Sequence, residues 1–275
     1  MANNRSLVET LRGEGFEGGE YGADRYQAAI RTIKRDAPAY QQLDLARQSV
    51  FDGEYDQAIT HIEQALAAQN EEAHFHAMRG EIRARQGRYQ DAVTNFDRAI
   101  SRDAEFFSFY LGRGMAHARL DKPAQAESDL TRSLQLLPTT IAYLELGRIA
   151  EAQGDTEAAA KYYEAAGQSS GEIGQEARAS LVRVDLANRP DRYLRSQTGQ
   201  ADDGRWLLRV TNDSGASVTG IRVRVDFLDG NGRQGSFERN LGTLAPGRYQ
   251  QVQFPPEYGN VQRARATVIV AELAR

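Results

Sequence analysis

The spacing of apolar residues changes along this chain and divides it into two regions. Through the first two thirds, apolar residues recur at intervals of three and four, as in Ala92, Phe96 and Ile100, which is the spacing of amphipathic helices. In the last third they alternate with polar residues, most clearly in residues 221–227, as a strand with one buried face requires. The pattern predicts a helical region followed by a smaller β region.

The helical region contains an internal repeat of 34 residues, seen for example between Tyr55 and Tyr89. Four units follow one another at residues 39–72, 73–106, 107–139 and 140–173, with one residue fewer at the join between the third and the fourth. Each unit has room for two helices, with a small residue in each helix where the two must cross. The turn between them holds Gly53, Gly87, Asp121 and Gly154 in the successive units, residues that tolerate the left-handed conformation ending a helix.

These features resemble the tetratricopeptide repeat (TPR), whose helical hairpins stack into a solenoid. The resemblance implies an all-α solenoid of four repeats. Because the last repeat leaves an apolar face uncovered, a capping helix is expected, and residues 174–190 are predicted to hold this helix and a linker. Upstream, residues 23–38 are predicted to contain a further helix, and the Gly-rich residues 1–22 a flexible linker.

The last third, residues 191–275, predicts a β module. Its strand candidates are separated by turn sequences and cover Trp206–Thr211, Ile221–Phe227, Ser236–Leu241, Tyr249–Phe254 and Ala266–Ala271. Short strands with this spacing predict a small antiparallel sandwich of immunoglobulin-like or fibronectin-like type. The whole chain is therefore predicted to be multidomain, an α solenoid followed by a small all-β sandwich.

Composition narrows the classes of function. Of the 275 residues, 40% are hydrophobic and 26% charged, and no apolar run approaches the roughly 18 residues of a membrane span, so no direct membrane insertion is expected. A formal net charge of −4 argues against a dedicated nucleic-acid binder. With no Cys, the chain has no disulfide, thiolate nucleophile or Cys-based zinc site.

Patterns that carry catalysis or metal binding are missing from the sequence. None of the four His residues lies in an H-E-x-x-H arrangement, and there is no G-x-S-x-G motif or phosphate-binding loop. His76 and His117 are predicted to fill the core, whereas His61 is expected to be solvated. We therefore predict no catalytic residue, no metal site and no cofactor, and expect this chain not to be an enzyme.

In TPR proteins the first helix of each repeat lines the concave binding side, so the resemblance implies a groove. Carried over position by position, the groove residues are Tyr40, Leu43, Arg47, Phe51, His74, Glu81, Arg85, Met115, Arg119, Arg148 and Glu151. Aromatic anchors beside several Arg suit a protein or peptide partner that bears carboxylates. The alternative is that these side chains are simply a solvated inner face.

One specialised mode of TPR binding is not expected here. TPR domains that clamp the C-terminal carboxylate of chaperones use Lys, Asn and Arg at particular groove positions. In this chain the corresponding positions hold Leu43, Arg47, Met78, Ser108 and Gly112.

The order of elements resembles a larger family. A Gly-rich entry, a helix ending near residues 34–40, four repeats and a β module are similar to the C-terminal half of bacterial TPR-fused zinc metallopeptidases of periplasmic and outer-membrane protein quality control. Stretches 109–114 and 129–139 contribute to the likeness. The resemblance implies a periplasmic location, although the sequence shows no signal peptide, and envelope or outer-membrane proteins as partners. The zinc-binding H-E-x-x-H helix of that family is missing, so zinc and peptidase activity would belong to a separate catalytic domain.

The sequence leaves other interpretations of the function open. The chain is either the accessory region of such a peptidase or a standalone scaffold. A hidden enzyme in the β module would need converging titratable groups, which the sequence does not indicate. Alternatively, the β module binds a glycan or an acidic envelope polymer, because residues 191–275 hold 12 Arg against 9 Asp and Glu, a net charge of +3.

Overall fold

The structure is a computed structural model that describes residues 38–258 and 261–274. Within these ranges, nine α-helices precede six β-strands. The helices are α1 (residues 38–51), α2 (Tyr55–Ala68), α3 (Ala73–Arg85), α4 (Tyr89–Ile100), α5 (Phe107–Arg119), α6 (Pro123–Leu136), α7 (Thr140–Ala152), α8 (Thr156–Ala166) and α9 (Glu172–Asp185). The predicted linker at 1–22 and nearly all of the predicted helix at 23–38 lie outside the described residues. None of the described helices is long and apolar enough to cross a membrane.

The first eight helices form the four predicted hairpins, and the turns between them have the expected backbone. Gly53, Gly87 and Gly154 have φ angles of 79°, 76° and 79°. Asp121 occupies the same turn in the third repeat with φ of 56°, and it is the only residue other than Gly with positive φ in the described part of the chain. A left-handed residue ends the first helix and lets the chain reverse, so the predicted turn chemistry is confirmed.

Two compact units make up the described chain, residues 38–129 and 130–274, and the division between them falls within α6. The first unit contains the first two repeats and most of the third. Its core is built where second helices meet first helices, with Ile62, Phe75 and Ile82 fully buried. Small residues permit this approach, since a Cβ on Gly80 would lie 3.2 Å from the ring of Phe96.

In the second unit, the predicted capping helix is present as α9 and has two apolar faces. Ala177, Leu181 and Val184 pack against the fourth repeat, in one cluster with the buried Tyr163. Val182 and Leu186 belong instead to the core of the β module. The helix therefore covers the last repeat on one side and joins the β core on the other.

The β module is the predicted small antiparallel sandwich. Its strands are β1 (Leu194–Gln200), β2 (Trp206–Asn212), β3 (Val218–Asp229), β4 (Gln234–Asn240), β5 (Tyr249–Gln253) and β6 (Val261–Leu273). They form two three-stranded sheets with the orders β1-β2-β5 and β4-β3-β6. Leu208 and Val210 from the first sheet share one core with Ile221, Val223 and Val225 from the second.

The alternation that predicted β3 corresponds to its burial, because Ile221, Val223 and Val225 point inward and the intervening residues are exposed. The predicted hairpin turn between β3 and β4 is also present, closed by a hydrogen bond from the amide of Gly232 to the carbonyl of Asp229 at 3.0 Å. One strand, β1, has no counterpart among the predicted strands.

Candidate functional site

The predicted groove residues of the first unit occupy equivalent positions on the first helices of three repeats. One row combines Phe51, Arg85 and Arg119, each 34 residues from the next, in the last turns of α1, α3 and α5. A second row, one turn earlier, combines Arg47, Glu81 and Met115. We call the first-helix surface the set Tyr40, Arg47, Phe51, His74, Glu81, Arg85, Met115 and Arg119.

At the start of α3, Glu72 brings two of the predicted residues together. The hydroxyl of Tyr40 donates to Oε2 of Glu72 at 3.1 Å, and Nδ1 of His74 lies 3.1 Å from Oε1 of the same carboxylate. Glu72 also caps α3, because its side chain accepts a hydrogen bond from the amide of His74. A single carboxylate thus joins α1 to the first turn of α3.

Aromatic rings extend this end of the surface. The ring of His74 lies 4.7 Å from that of Phe106 and 5.3 Å from that of Phe109, in both cases edge to face. Tyr40 meets Phe75 in the same geometry at 5.3 Å. Phe106 was not among the predicted groove residues, although the adjacent aromatic residues Phe106 and Phe107 at the start of α5 could have indicated it. Edge-to-face contacts fix these rings and leave Tyr40 44% exposed.

At the opposite end of the first helices, the surface is charged and one large apolar ring is exposed. Arg47 pairs with Asp44 at 3.3 Å, and Arg85 pairs with Glu81 at 3.0 Å. Arg119 is exposed and makes no hydrogen bond or ion pair with any described residue. Phe51 is 86% exposed, the most exposed of the large apolar side chains in the described ranges.

Leu43 does not lie on this surface, in contrast to its prediction as a groove residue. It is 3% exposed and belongs to the core of the first repeat with Ala39 and Ala46. These three residues follow one another at intervals of four and three, so they form one stripe of α1 that faces the second helix. Leu43 was predicted to lie in the groove because of its position within the repeat. In the structure its side chain is on the face of α1 that packs in the core.

In the second unit, Arg148 and Glu151 are held by charges from the capping helix. Arg148 forms ion pairs with Glu145 on its own helix and with Glu176 on α9. Glu151 accepts two hydrogen bonds at 2.8 Å from the guanidinium of Arg183, which is also on α9. Both predicted groove residues therefore join the fourth repeat to its cap.

The carboxylate of Glu151 also accepts a hydrogen bond at 2.6 Å from the buried hydroxyl of Tyr163. The hydrogen bonds from Arg183 hold the pKa of Glu151 below its ordinary value. Burial, followed by the bond to Glu151, raises the pKa of the Tyr163 phenol. The carboxylate of Glu151 and the guanidinium of Arg183 are thus paired with each other. A ligand could bind either group only by breaking these hydrogen bonds.

Polar groups that the sequence reasoning missed lie beneath the first-helix surface. Arg113 pairs with Asp129, and at the equivalent positions one repeat earlier Arg79 donates to Asn95 at 2.6 Å. Hydrogen bonds to Asp129, followed by the one to Asp97, raise the pKa of Arg113 despite its burial. Arg79 and Arg113 are 34 residues apart, as are Asn95 and Asp129, so the repeat period alone could have predicted that the two pairs share a structural role.

The histidines divide differently from the prediction. His76 is buried, and its Nε2 lies 2.7 Å from the carbonyl of Asn70, which confirms core filling. The side chain of His117 is 13% exposed and so largely buried, with Nε2 3.8 Å from Asp129, and burial lowers its pKa. His61 is not simply solvated, because it is partly buried and its Nδ1 lies 2.8 Å from the side-chain oxygen of Gln42. Across the described ranges, no three His, Asp or Glu side chains converge as a metal site.

Comparisons with known proteins identify the repeats. Residues 43–105, 78–139 and 111–173 match the sequence model of the tetratricopeptide repeat. No curated protein matches the chain.

Three solved structures match part of the chain at low overall similarity. The first TPR domain of Spaghetti (RPAP3), bound to the HSP90 peptide SRMEEVD, is 23% identical over 43% of this chain and 95% of its own, with a TM-score of 0.42. The second TPR domain of human RPAP3, in complex with the HSP70 peptide SGPTIEEVD, is 26% identical over 42% and 97%, with a TM-score of 0.40. A thermophilic TPR protein of Thermus thermophilus is 21% identical over 54% and 81%, with a TM-score of 0.47. Residues 43–173 of this chain are tetratricopeptide repeats.

Proposed function

We propose that the chain is a protein-interaction scaffold whose first-helix surface binds a segment of a partner protein. The observation that carries the proposal is the row formed by Phe51, Arg85 and Arg119. It places a ring that is 86% exposed and a guanidinium without a partner among the described residues at equivalent positions of successive repeats. An apolar anchor and a carboxylate-binding cation are the groups that dominate the energetics of protein interfaces.

Phe51 supplies the apolar part of the proposed binding free energy. Burying a Phe side chain that water otherwise surrounds contributes about 1.5 to 3 kcal/mol. In the free chain this area is exposed, so the gain is realised only when a partner covers it. The proposed partner segment therefore carries an apolar side chain that packs on Phe51.

The arginines supply the polar contribution. Arg119 can bind a partner carboxylate without giving up another contact, since it makes no hydrogen bond or ion pair with any described residue. Arg47 and Arg85 are engaged with Asp44 and Glu81 in exposed pairs, each worth about 0 to 1 kcal/mol, so a partner carboxylate can replace the internal one at small cost. The proposed segment is accordingly acidic as well as apolar.

The mode of binding differs from the clamp that captures a C-terminal carboxylate. Two positions that would carry clamp residues hold Leu43 and Met78, which are 3% and 8% exposed and pack in the core. An internal segment of the partner, rather than its carboxyl terminus, is therefore the ligand that we propose.

A peptide library displayed on phage, selected against the full chain, tests the proposal. We expect the selected peptides to combine acidic and apolar residues and to lose at least about tenfold in affinity when Arg119→Glu reverses the charge that attracts them. The matched control is Arg98→Glu, the same change on the second helix α4 of the same unit. Equal loss in both variants, or no loss in Arg119→Glu, contradicts the proposed surface.

We also propose, from the sequence resemblance alone, that this scaffold is the non-catalytic accessory region of a TPR-fused zinc metallopeptidase in cell-envelope protein quality control, with envelope or outer-membrane proteins as its partners. The order of repeats and β module supports the proposal. In this proposal zinc would be held in a separate catalytic domain, the one that carries the H-E-x-x-H helix in that family.

A casein-cleavage assay with added zinc, together with the metal content of the purified chain, tests this second proposal. We expect no cleavage and no bound zinc from the chain alone. Zinc-dependent cleavage by this chain would contradict the accessory role and support an enzyme.

A further inference from the structure

Four arginines form a row across the outer face of the β4-β3-β6 sheet. Arg222 and Arg224 lie at successive outward positions of β3. On β6, Arg265 and Arg263 pair with the next two outward positions of β3, residues 226 and 228. We call Arg222, Arg224, Arg263 and Arg265 the arginine row.

The strand register sets the pitch of this row. Outward positions on one strand are two residues apart, which corresponds to about 7 Å along the strand. The row therefore spans three such steps, or roughly 20 Å, first along β3 and then along β6. All four side chains are exposed.

Carboxylates within the sheet compensate only half of this charge. Arg222 lies 3.7 Å from Glu238, and Nε of Arg224 donates to Asp226 at 3.0 Å. Arg263 and Arg265 make no hydrogen bond or ion pair with any described residue. These two guanidinium groups stand side by side on β6, and their charges are free to attract an anion.

A cavity of about 690 Å³ is bordered by Arg224, Arg263 and Arg265 and by one carboxylate, that of Asp226, which accepts the hydrogen bond from Arg224. The amide of Gln234 and the hydroxyl of Ser236 add hydrogen-bonding groups to its lining.

The cavity does not offer an aromatic platform to a ligand. Although Phe227 borders it, the ring packs 4.8 Å from that of Tyr258 and against the module core. The cavity therefore has three guanidinium groups against one carboxylate, and no ring face on which a sugar would stack.

We propose that the arginine row binds an acidic polypeptide segment in extended conformation. Side chains at alternate positions of an extended chain lie about 7 Å apart on one face, which matches the pitch of the row. Arginine binds carboxylates through two parallel hydrogen bonds, so alternate Glu or Asp residues would each meet one guanidinium. Because no aromatic face is presented, an acidic peptide fits better than an acidic polysaccharide. This site is separate from the first-helix surface and does not depend on the proposed function.

Fluorescence anisotropy with the full chain and two labelled peptides tests the proposal. One peptide alternates Glu and Thr, and the other has the same composition with its Glu residues in one block. We expect the alternating peptide to bind more tightly, with an affinity that falls as NaCl is added. The double variant Arg263→Gln/Arg265→Gln is expected to reduce this affinity about tenfold.

Arg195→Gln/Arg248→Gln is the matched control, because it removes the same charge from the same module outside the row, and it is expected to change affinity less than about twofold. Equal binding of the two peptides, or equal loss in both double variants, overturns the proposal. An acidic polysaccharide, oligogalacturonate, is the competing ligand. If it binds more tightly than the alternating peptide, and only Arg263→Gln/Arg265→Gln reduces its affinity, the arginine row binds an acidic polysaccharide instead.

Circular dichroism confirms that the variants are folded. If the Gln variant is not folded, Arg263→Lys/Arg265→Lys replaces it, since Lys keeps the charge but loses the planar fork. We then expect a smaller loss of affinity for the alternating peptide, and an unchanged affinity overturns the bidentate contact.

Discussion

Arg113 on α5 donates two hydrogen bonds to Asp129 on α6, from Nε at 2.8 Å and from Nη2 at 2.6 Å. Its remaining nitrogen, Nη1, donates to Asp97 on α4 at 2.7 Å. One guanidinium thus links the second helix of repeat two to both helices of repeat three. The side chains of Arg113 and Asp129 are 21% and 8% exposed, so the pair is largely screened from water.

Breaking this pair should destabilise the repeats. Asp129→Ala leaves Arg113 largely buried with Asp97 as its only hydrogen-bond acceptor, and we expect the free energy of unfolding to fall by about 3 kcal/mol. Asp97→Ala is the matched control, because the Asp97 carboxylate is 54% exposed and its loss should cost about 1 kcal/mol or less. Urea titrations followed by circular dichroism measure both, and equal costs for the two variants would refute the special role of Asp129.

A second prediction concerns the crossing of α7 and α8. A Cβ on Gly147 would lie 2.5 Å from the ring of the buried Tyr163, whose hydroxyl is fixed by Glu151. We expect Gly147→Ala to destabilise the chain by about 1 to 3 kcal/mol through overpacking. Gly199→Ala on β1 meets nothing within 4 Å and serves as the control. Thermal melts compare them, and a Gly147→Ala variant as stable as the control would contradict the close approach.

His76 should make the repeats sensitive to acid. Its Nε2 is engaged with the carbonyl of Asn70, and its buried Nδ1 has no partner in the described chain, so a proton added there brings an uncompensated charge. Burial lowers the pKa of His76, and Arg102, Arg79 and Arg98 lower it further, while the bond to Asn70 opposes them. The unfolded chain therefore binds the proton more tightly.

The sign of the pH dependence follows from this difference. Stability from His76 is complete above its unfolded pKa of 6.5 and declines as the pH falls from there toward the lower folded value. We expect the free energy of unfolding to decrease between pH 7.5 and pH 5.5, and to decrease less in His76→Gln, which keeps a donor but does not titrate. Identical slopes in wild type and variant would exclude this histidine as the cause.

The junction between the capping helix and the β module depends on Asp185. This buried carboxylate accepts hydrogen bonds from Arg189 at 2.7 Å, from the hydroxyl of Tyr193 at 3.0 Å and from Arg192 at 3.4 Å. Asp185→Ala leaves these donors without their acceptor, and we expect a loss of about 3 kcal/mol.

Tyr193→Phe is the control for this junction, because it removes one hydrogen bond of the network and should cost about 1 kcal/mol. Chemical denaturation of the full chain measures both changes. A cost for Asp185→Ala no larger than that for Tyr193→Phe would show that the carboxylate does not organise the junction.

Local patterns in the sequence were sufficient to predict the repeats and much of the sandwich. The left-handed turn at Asp121 and the buried face of residues 221–227 follow from conformational preference and side-chain period, which are properties of a few neighbouring residues. The 34-residue period then defines equivalent positions such as Phe51, Arg85 and Arg119, which the structure places in the last turns of equivalent helices.

Only tertiary structure decided which predicted groove residues stay accessible. Leu43 occupies a groove position of the repeat, but its side chain lies on the α1 face that packs inward. Arg148 and Glu151 occupy similar positions, but their charges are engaged by Glu176 and Arg183. Each outcome depends on contacts between elements that are distant in sequence.

Strand β1 shows the physical reason for this limit. Its sequence, Leu194–Gln200, has one apolar residue and no alternation, so nothing local identifies it as a strand. It is held instead by backbone pairing with β2 and by the hydroxyls of Ser196 and Thr198, which donate to β6 carbonyls at 2.9 and 2.8 Å. The sequence by itself determined the helical repeats and the apolar strands, because conformational preference and apolar spacing are local. Pairings of polar groups were decided only when folding brought their partners together.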